Sequence, residues 1–340
     1  MDPRRGGTDS AGSTLASLLE SAIKMVHVPA GYLVRRPTRC DLTLVAELMV
    51  AYDLAQLGEA TTSAERLAQV WNLPRFSPET DGWLVEDARG RAAAYAGILV
   101  SDPDVDFDAD FVVHPDHEER GVDAPLLHLV EQRVRELAAP SSPDRQAKLG
   151  IYVPHGDERR RGFFAATGYS VTHSYYRMVI DLPASSRPSP PPGISIRTLR
   201  LGQDERPVFA ALDEAFRDHA RYVSQPFEDF VHSDLENPLF DAALWLLACD
   251  GDEVAGVAGS YDYPTGPEVD VLAVRRPWRR KGLGKALLLQ SFSALARRGR
   301  TKAQLSVDAA NEDGAVQLYE AAGMRAAQVF DCFTRILRPL

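Results

Sequence analysis

The sequence has few cysteines and no long apolar run. Cys40, Cys249 and Cys332 are far apart and odd in number, so neither a disulfide framework nor a cysteine-based zinc site is indicated. No apolar stretch approaches the roughly 18 residues of a membrane-spanning helix. The N-terminal residues lack the uninterrupted apolar core of a secretory signal. We therefore expect a cytoplasmic protein that uses no metal and does not enter a membrane.

An excess of positive charge is also missing, because the formal net charge is −10. This balance disfavours a nucleic-acid partner. One stretch reverses the sign: residues 275–302 contain ten Lys or Arg side chains and no Asp or Glu. The ten are Arg275, Arg276, Arg279, Arg280, Lys281, Lys285, Arg297, Arg298, Arg300 and Lys302. A basic cluster in an acidic chain indicates a site for an anionic small molecule.

A glycine-rich turn lies inside this basic stretch. Residues 268–274 are a short, largely apolar run typical of a strand, and residues 283–296 are rich in helix formers. Gly282 and Gly284 between them let the backbone tighten and approach a ligand, while the first amides of the following helix point outward without acceptors. Ala286 stands where a P-loop needs Ser or Thr, and Leu287 where a dinucleotide fingerprint needs a third glycine. A plain turn into a surface helix is the alternative reading.

A second stretch follows one predicted strand later, at residues 303–308. Asn311, Ala315 and Tyr319 are spaced four apart, so they share one face of a predicted helix. Gly323 is placed to end that helix. A tyrosine at such a place is often part of a core, but here it follows the glycine turn in a fixed order.

Together the two stretches resemble the GNAT N-acetyltransferases. Arg279-Arg280-Lys281-Gly282-Leu283-Gly284 is similar to the acyl-CoA signature of that family, Arg/Gln-x-x-Gly-x-Gly/Ala. The stretch from Asn311 to Met324 resembles its second motif, Asn-x-x-Ala-x-x-x-Tyr-x-x-x-Gly-Phe. The resemblance implies an α/β fold with a mostly antiparallel sheet flanked by helices, and acetyl-CoA as cosubstrate.

The resemblance also implies a mechanism, in which an acetyl group passes directly to an amine. Backbone amides of Leu272, Ala273 and Val274 would hold the thioester carbonyl. Glu268 matches a position where several family members carry the general base, and Asp270 is the alternative; on an extended strand both would share a face with Leu272. Tyr319 matches the usual acid. The remaining residues implied to contact the cosubstrate are Arg279, Arg280, Lys281, Gly282, Leu283, Gly284, Lys285 and Asn311. Asp218 and His219 resemble an acceptor-side segment and are candidate substrate contacts.

The chain repeats itself at an offset of about 161 residues. Segments beginning at Leu33, Gly82 and Phe163 match segments beginning at Ile194, Leu244 and Leu318. A Pro/Ser-rich stretch at residues 183–193 separates the copies and predicts an extended linker. We expect a tail at residues 1–30 with one amphipathic helix, a first GNAT-like domain at 31–182, and a second at 194–340.

The two copies differ where chemistry would occur. Aligned on Gly121, the first copy has Glu118 and Asp123 where the second has Arg279 and Gly284, and Phe164 where the second has Tyr319. Two carboxylates would repel a pyrophosphate, and a phenyl ring cannot donate a proton. The catalytic domain is therefore expected to be the second, with the first degenerate.

The sequence leaves the acceptor open. The tandem arrangement resembles mycothiol synthase and its relatives, which acetylate a cysteinyl amine, but an antibiotic, a polyamine or a protein amino group is equally admissible. A sensor that binds acyl-CoA without turnover is the rival from another class; Glu268 and Tyr319 argue against it, because a pure binder needs no base and acid. Acyl-chain length and the choice between monomer and homodimer also stay open.

Overall fold

The computed structural model describes residues 27–102, 106–138, 146–186, 189–218, 222–310 and 314–337. The predicted N-terminal helix and part of the predicted linker lie outside these residues. Two compact units are formed, each from several segments: one comprises residues 27–55, 75–151 and 336–337 of the described chain, the other residues 56–74 and 152–335. No described helix is both long and apolar enough to cross a bilayer.

The first unit is built on a sheet in the order β1-β2-β3-β4-β5, with β4 and β5 parallel and the other pairs antiparallel. Its strands are β1 (Tyr32–Arg35), β2 (Gly82–Asp87), β3 (Ala92–Asp102), β4 (Asp106–Val113) and β5 (Ala147–Pro154), the last extending past this unit. Its helices are α1 (Leu42–Leu57), which also extends past the unit, the short α3 (Pro78–Asp81) and α4 (Asp123–Ala138). Leu126 and Val130 of α4 are fully buried, as expected for an amphipathic helix that covers a sheet.

The second unit has seven strands in the order β12-β6-β11-β10-β9-β8-β7. They are β6 (Ser170–Asp181), β7 (Ile194–Thr198), β8 (Trp245–Asp250), β9 (Glu253–Tyr263), β10 (Gly266–Val274), β11 (Lys302–Asp308) and β12 (Arg325–Leu337). β10 and β11 are parallel, and the other neighbouring pairs of this unit are antiparallel. The strand β6, which precedes the predicted linker in sequence, therefore pairs with β11, which follows it.

Helices cover both faces of this second sheet. They are α2 (Ala64–Trp71), α5 (Glu158–Ala166), α6 (Glu205–Phe216), α7 (Phe227–Phe230), α8 (Leu283–Arg297) and α9 (Ala315–Ala321). One core cluster gathers Phe292 of α8 with Leu305 of β11. Another gathers Val208 of α6 with Trp245 and Tyr261 of the sheet. The sheet is thus apolar on both faces, which the continuous apolar runs in β8 and β9 require.

The repeat seen in the sequence has counterparts in structure. Trp83 in β2 and Trp245 in β8 are both almost fully buried. Arg35 forms two hydrogen bonds with the carboxylate of Asp41, at 2.6 and 2.9 Å, and Arg197 does the same with Asp204, at 2.6 and 2.8 Å. In each copy this bidentate pair ties the first strand to the start of the first helical segment. Both copies run through a strand, helices, three strands, a helix, a strand, a helix and a final strand, and both are mixed α/β folds with mostly antiparallel sheets.

Candidate active site

The glycine turn leads from β10 into α8. Arg276–Trp278 form a 3₁₀ turn, and then Arg280 and Gly282 adopt positive φ angles of 60° and 82°. Gly282 is the N-cap of α8 and offers no side chain to the first helical amides, which therefore stay free to bind a ligand. With the positive end of the helix dipole at the same place, the turn is suited to hold a phosphate group.

Arg279 anchors this turn to the rest of the unit. Its guanidinium donates to Val274 O at 2.9 Å, to Ala215 O at 2.8 Å and to Asp218 Oδ2 at 2.8 Å. Asp218 also accepts from Arg276, at 2.7 Å, and hydrogen bonds from Arg276 first and Arg279 next lower the pKa of Asp218 to about 2. Asp218, predicted as a substrate contact, therefore accepts hydrogen bonds from Arg276 and Arg279 at the glycine turn in this structure. His219 lies outside the described residues.

Five of the ten basic side chains in the cluster form ion pairs with carboxylates from other segments. They are Arg275 with Glu214, Arg276 and Arg279 with Asp218, Arg298 with Asp241, and Arg300 with Asp262. Half of the local excess of positive charge thus stabilises the fold around α8. Gly282 and Arg280 lie on the cavity described below, whereas the ammonium of Lys281 donates to Pro277 O at 2.8 Å.

Beside the turn, β10 separates from β11. Among the described residues the two strands pair at Glu268 opposite Gln304 and not beyond. The Arg275 amide donates to Ala255 O of β9, and because amides alternate in direction along a strand, those of Leu272 and Val274 point to the opened edge. The backbone carbonyl of Ala273 points the other way, toward β9. Its oxygen lies 2.8 Å from the position that a Cβ on Gly256 of β9 would take.

A β-bulge between Val269 and Val271 changes the alternation of side chains in β10. Val269 and Leu272 both pack on the α8 side, whereas Val271 and Ala273 pack with Tyr261 and Tyr263 on the α6 side. The expectation that Leu272 shares a face with Glu268 and Asp270 is therefore wrong, because the bulge inserts one residue. Glu268 precedes the bulge, and Asp270 is the residue inserted at it.

The opened edge and the turn enclose one cavity of about 590 Å³. Its wall includes residues of β10, of the glycine turn, of α8 and of α9: Asp270, Leu272, Val274, Arg280, Gly284 and Tyr319. The wall also includes two aromatic side chains, Tyr175 of β6 and Phe216 of α6. The glycine turn and the Asp270 carboxylate thus lie on one cavity.

The two candidate bases have different surroundings. Glu268 is buried and forms an ion pair with Arg66, with Nη1 2.6 Å from Oε2, and it also accepts from Gln304 at 3.3 Å. Burial alone would raise the pKa of Glu268, but the charge of Arg66 outweighs burial, so its pKa lies below the usual value. Its carboxylate is therefore ionised and already paired with Arg66. Among the described residues that form the cavity wall, Glu268 is not included.

Asp270 is on the cavity wall and opens to it, although protein atoms crowd its other sides. This partial loss of water and the negative charge of Glu268 raise the pKa of Asp270 to about 7, against the opposing effects of Arg66 and of a hydrogen bond from Tyr263. The Tyr263 hydroxyl lies 2.9 Å from Asp270 Oδ2. A carboxylate that titrates near neutral pH and faces a cavity is suited to accept a proton.

Tyr319 lies on α9 and faces the same cavity. Burial raises its pKa to about 12, so the phenol keeps its proton at neutral pH and acts as a donor. The helix ends as predicted: Gly323 has φ of 98°, and the Met324 amide donates to Tyr319 O. Asn311, the first residue of this predicted motif, lies outside the described residues.

The other residues predicted to contact the cosubstrate divide into two groups. Leu283 and Gly284 lie on the cavity wall, with Leu283 buried. Lys281 and Lys285 are not on the wall in the described part of the chain. In the described residues no set of His, Cys, Asp and Glu side chains is arranged to hold a metal ion.

Sequence reasoning missed three side chains around the carboxylates. Arg66 and Gln69 come from α2, about 200 residues before β10, and Tyr263 comes from β9. Arg66 pairs with Glu268, and Gln69 Oε1 lies 2.6 Å from the Tyr263 hydroxyl. No local pattern could have found α2, because only tertiary contact joins it to β10; Tyr263 could have been found as a buried polar aromatic next to the candidate bases.

The first unit repeats the backbone of the turn with different side chains. Glu119 and Gly121 have φ angles of 60° and 77°, matching Arg280 and Gly282, and α4 begins at Asp123. Asp123 is buried, and Phe164 of the second unit, which aligns with Tyr319, is fully buried as well. The local conformation of the turn has therefore been kept although Glu118 and Glu119 replace Arg279 and Arg280, and Phe164 replaces the phenol.

Comparison with known proteins agrees with this geometry. The model of the Acetyltransferase (GNAT) family matches residues 208–324. A mycothiol acetyltransferase from Geodermatophilus obscurus is 30% identical over 249 residues, which cover 71% of this chain and 77% of the relative. One from Saccharopolyspora erythraea is 29% identical over 251 residues, covering 72% and 82%.

Solved structures show the same architecture. A GCN5-related N-acetyltransferase from Sphaerobacter thermophilus superposes with a TM-score of 0.76 at 28% identity, covering 92% of this chain and 98% of that one. A tandem GNAT protein from the clavulanic acid biosynthesis pathway has a TM-score of 0.67 at 18% identity, covering 91% and 99%, and shows the fold alone. This chain belongs to the GNAT acetyltransferase family. It is an acyltransferase, and its relatives include enzymes named mycothiol acetyltransferase.

Proposed function

We propose that the protein transfers an acetyl group from acetyl-CoA to a primary amine of a small molecule, with the chemistry carried by the second copy, residues 194–340. The observation that carries this proposal is the meeting, in one cavity, of the glycine turn, the open edge of β10, Asp270 and Tyr319. Each supplies one requirement of acyl transfer: phosphate binding, carbonyl polarisation, a proton acceptor and a hydrogen-bond donor for the departing sulfur.

The turn fits the pyrophosphate of acetyl-CoA. The first amides of α8 are free, Gly282 has the positive φ that an uncapped turn needs, and Arg280 brings positive charge to the wall. A Cβ added at Gly284 would meet Leu318 and Val274 only at ordinary contact distances of 3.5 and 3.7 Å. Gly284, Leu318 and Val274 all lie on the cavity wall, so a larger anionic side chain at position 284 would project into the proposed pyrophosphate site.

The residues on the wall have separate tasks. Acetyl-CoA supplies an acetyl thioester, whose C–S bond breaks as the C–N bond to the amine forms. The amides of Leu272 and Val274 hold the thioester oxygen, and Asp270 takes the proton that the amine loses. Tyr319 donates a hydrogen bond to the departing sulfur. Because its pKa of about 12 exceeds the roughly 8.5 of an ordinary thiol, the sulfur takes its proton from water as the products leave.

Between the two candidate bases, we favour Asp270. The family resemblance favours Glu268, but the Glu268 carboxylate is already paired with Arg66 and lies away from the cavity wall. Asp270 opens to the cavity and holds a proton up to about pH 7. Glu268 then acts on its neighbour, since its negative charge raises the pKa of Asp270.

The acceptor that fits best is an α-amino group such as that of a cysteinyl residue, as in mycothiol synthesis. An α-amino group has a pKa of about 7.7–8.0, against about 10.4 for an alkylamine. A base with a pKa of about 7 therefore meets an α-amino group already partly neutral. The names of the relatives, mycothiol acetyltransferases, support the same acceptor.

Calorimetric titration with acetyl-CoA tests the proposal. We expect one site per chain, abolished by Gly284→Glu and kept in the control Gly162→Glu, which adds the same charge on the exposed surface of α5 with no atom within 4 Å of the new Cβ. Two sites, or one that survives Gly284→Glu, would show that the first copy binds.

A thiol-release assay with a panel of amines then tests turnover. We expect a cysteinyl α-amine linked to a sugar to be used faster than a polyamine. Binding without thiol release from any amine would instead make the protein an acyl-CoA sensor.

A further inference from the structure

The helix α2 brings two polar side chains to the candidate bases of β10. Its Arg66 pairs with Glu268 at 2.6 Å, and the same guanidinium lies over the ring of Tyr263, 4.7 Å from the centroid. Its Gln69 lies three residues on, on the same helix face, and contacts the Tyr263 hydroxyl at 2.6 Å. Two positions of one helix thus reach both carboxylates, one directly and one through a tyrosine.

The contact with Arg66 fixes the charge of Glu268. The pair is mostly enclosed by protein, where an ion pair is strong if its remaining groups are bonded, and Gln304 and the charge of Arg177 support it. Glu268 consequently stays an anion next to Asp270. Without Arg66, two carboxylates two residues apart would compete for one proton.

The contact with Gln69 concerns the single proton of the Tyr263 hydroxyl. That hydroxyl lies between Asp270 Oδ2, at 2.9 Å, and Gln69 Oε1, at 2.6 Å, and it can donate to one of them at a time. When Asp270 is ionised, Tyr263 donates to it and the Gln69 amide turns its NH₂ toward the tyrosine oxygen. When Asp270 is protonated, the carboxyl donates to Tyr263 and Tyr263 donates to Gln69. The three groups can therefore accommodate both charge states.

We infer that Arg66 and Gln69 are positioning residues for acetyl transfer: Arg66 holds Glu268 as a fixed anion, and Gln69, through Tyr263, orients the Asp270 carboxylate in both of its protonation states. This inference rests on the proposed function. It also gives the first half of the sequence a role in the chemistry, since α2 precedes the linker. The other titratable groups near Asp270 are Asp234 and Tyr261, which bond each other, and their contribution is common to all variants below.

The test compares pH profiles of kcat/KM for thiol release. In Tyr263→Phe the ionised Asp270 loses a donor, so its apparent pKa rises; a rise of about one unit lowers the rate about tenfold below the pKa. In Gln69→Ala we expect a smaller rise in the same direction. Arg66→Lys keeps the charge and should stay near the wild-type profile, whereas Arg66→Met should raise the apparent pKa. In Arg66→Met/Glu268→Gln, which removes both charges, the apparent pKa should return toward the wild-type value.

The control is Glu65→Gln, which changes a charge on the exposed side of the same helix. Unchanged profiles in Tyr263→Phe and Gln69→Ala, with only thermal stability lowered, would overturn the inference and leave the proposed function intact. Because Arg66→Met leaves a buried carboxylate unpaired and can fail to fold, Gln69→Ala and Tyr263→Phe decide the matter in that case.

A second readout does not need turnover. Carboxyl-¹³C-aspartate labelling follows the titration of Asp270 directly, with its signal assigned by loss in Asp270→Asn. We expect the same order of shifts among the variants. If wild-type protein releases no thiol with any amine, the proposed function fails, while this titration still decides whether α2 controls Asp270.

Discussion

At the scale of the residue, Glu268 and Asp270 illustrate how surroundings assign different roles to two carboxylates. They are two positions apart in β10, and Asp270 is the residue inserted at the bulge. An ion pair keeps one ionised, while enclosure and a like charge make the other titrate near neutrality. Groups whose pKa values are pushed apart in this way are typical of sites that transfer protons.

We expect kcat/KM to rise with pH through an apparent pKa of about 7, because the base must be ionised and burial, with the charge of Glu268, raises the pKa of Asp270 to that value. Asp270→Asn should lower kcat/KM by about 10²–10⁴-fold and remove this limb of the profile. The measurement is thiol release from pH 5 to pH 9. A retained limb in Asp270→Asn would assign the base to another group.

Tyr319→Phe tests the donor to the departing sulfur. A hydrogen bond to a charged group contributes about 1.5–3 kcal/mol, so kcat should fall by roughly 10- to 100-fold. Affinity for acetyl-CoA, measured by calorimetry, should change little, because the phenol acts when the sulfur becomes charged. Equal losses in affinity and in kcat/KM would show that Tyr319 holds the cosubstrate rather than the leaving group.

At the scale of the element, the site depends on the close approach of β9 and β10. Gly256 in β9 leaves room for Ala273 O, and a Cβ there would lie 2.8 Å from that backbone atom. β10 is bonded to β9 on this side and has an open edge on the other. Any shift of β10 away from β9 therefore moves the amides of Leu272 and Val274 into the cavity.

We expect Gly256→Ala to lower the free energy of unfolding by about 1–3 kcal/mol, as overpacking does, and to lower kcat as well. The matched control is Gly156→Ala, where a Cβ meets nothing within 4 Å. Urea unfolding and thiol release on both variants provide the measurement. Loss of stability with full activity would mean that β9 gives way instead of β10.

At the scale of the whole molecule, the raised pKa of Asp270 makes stability depend on pH. The folded protein holds this proton up to about pH 7, whereas an unfolded chain releases it near pH 3.9. Between these values the folded state binds more protons, so this group lowers stability as pH rises. The carboxylate that we propose as the base is thus kept at some cost in stability.

Asp270→Asn should consequently raise the melting temperature at pH 8 and have a smaller effect near pH 4, because the variant removes a charge that the fold disfavours. Scanning calorimetry at the two pH values checks this. The same substitution at Asp218 is the contrast: Asp218 has a pKa lowered to about 2 by Arg276 and Arg279, so Asp218→Asn should destabilise at pH 8.

Much of the fold was predictable from the sequence because the signals were local. The glycines and basic residues of the turn, the strand before it and the helix after it follow one another along the chain, and Tyr319 and Gly323 follow in order. Each depends on backbone conformation and on spacing within a few residues. The choice between the two candidate bases could not be predicted from the sequence, because it depends on which charges lie nearby in space.

The sequence by itself determined the fold class, the duplicated element order, the glycine turn and the pair of candidate carboxylates in β10, since periodicity and glycine positions encode these locally. Only the tertiary structure decided how the carboxylates differ. Packing placed Arg66, from far earlier in the chain, against Glu268. It also engaged five of the ten basic side chains of the cluster in ion pairs, and the bulge turned Leu272 to the opposite face of the sheet. Charge and burial act through space, and no pattern along the chain records which distant side chains will meet.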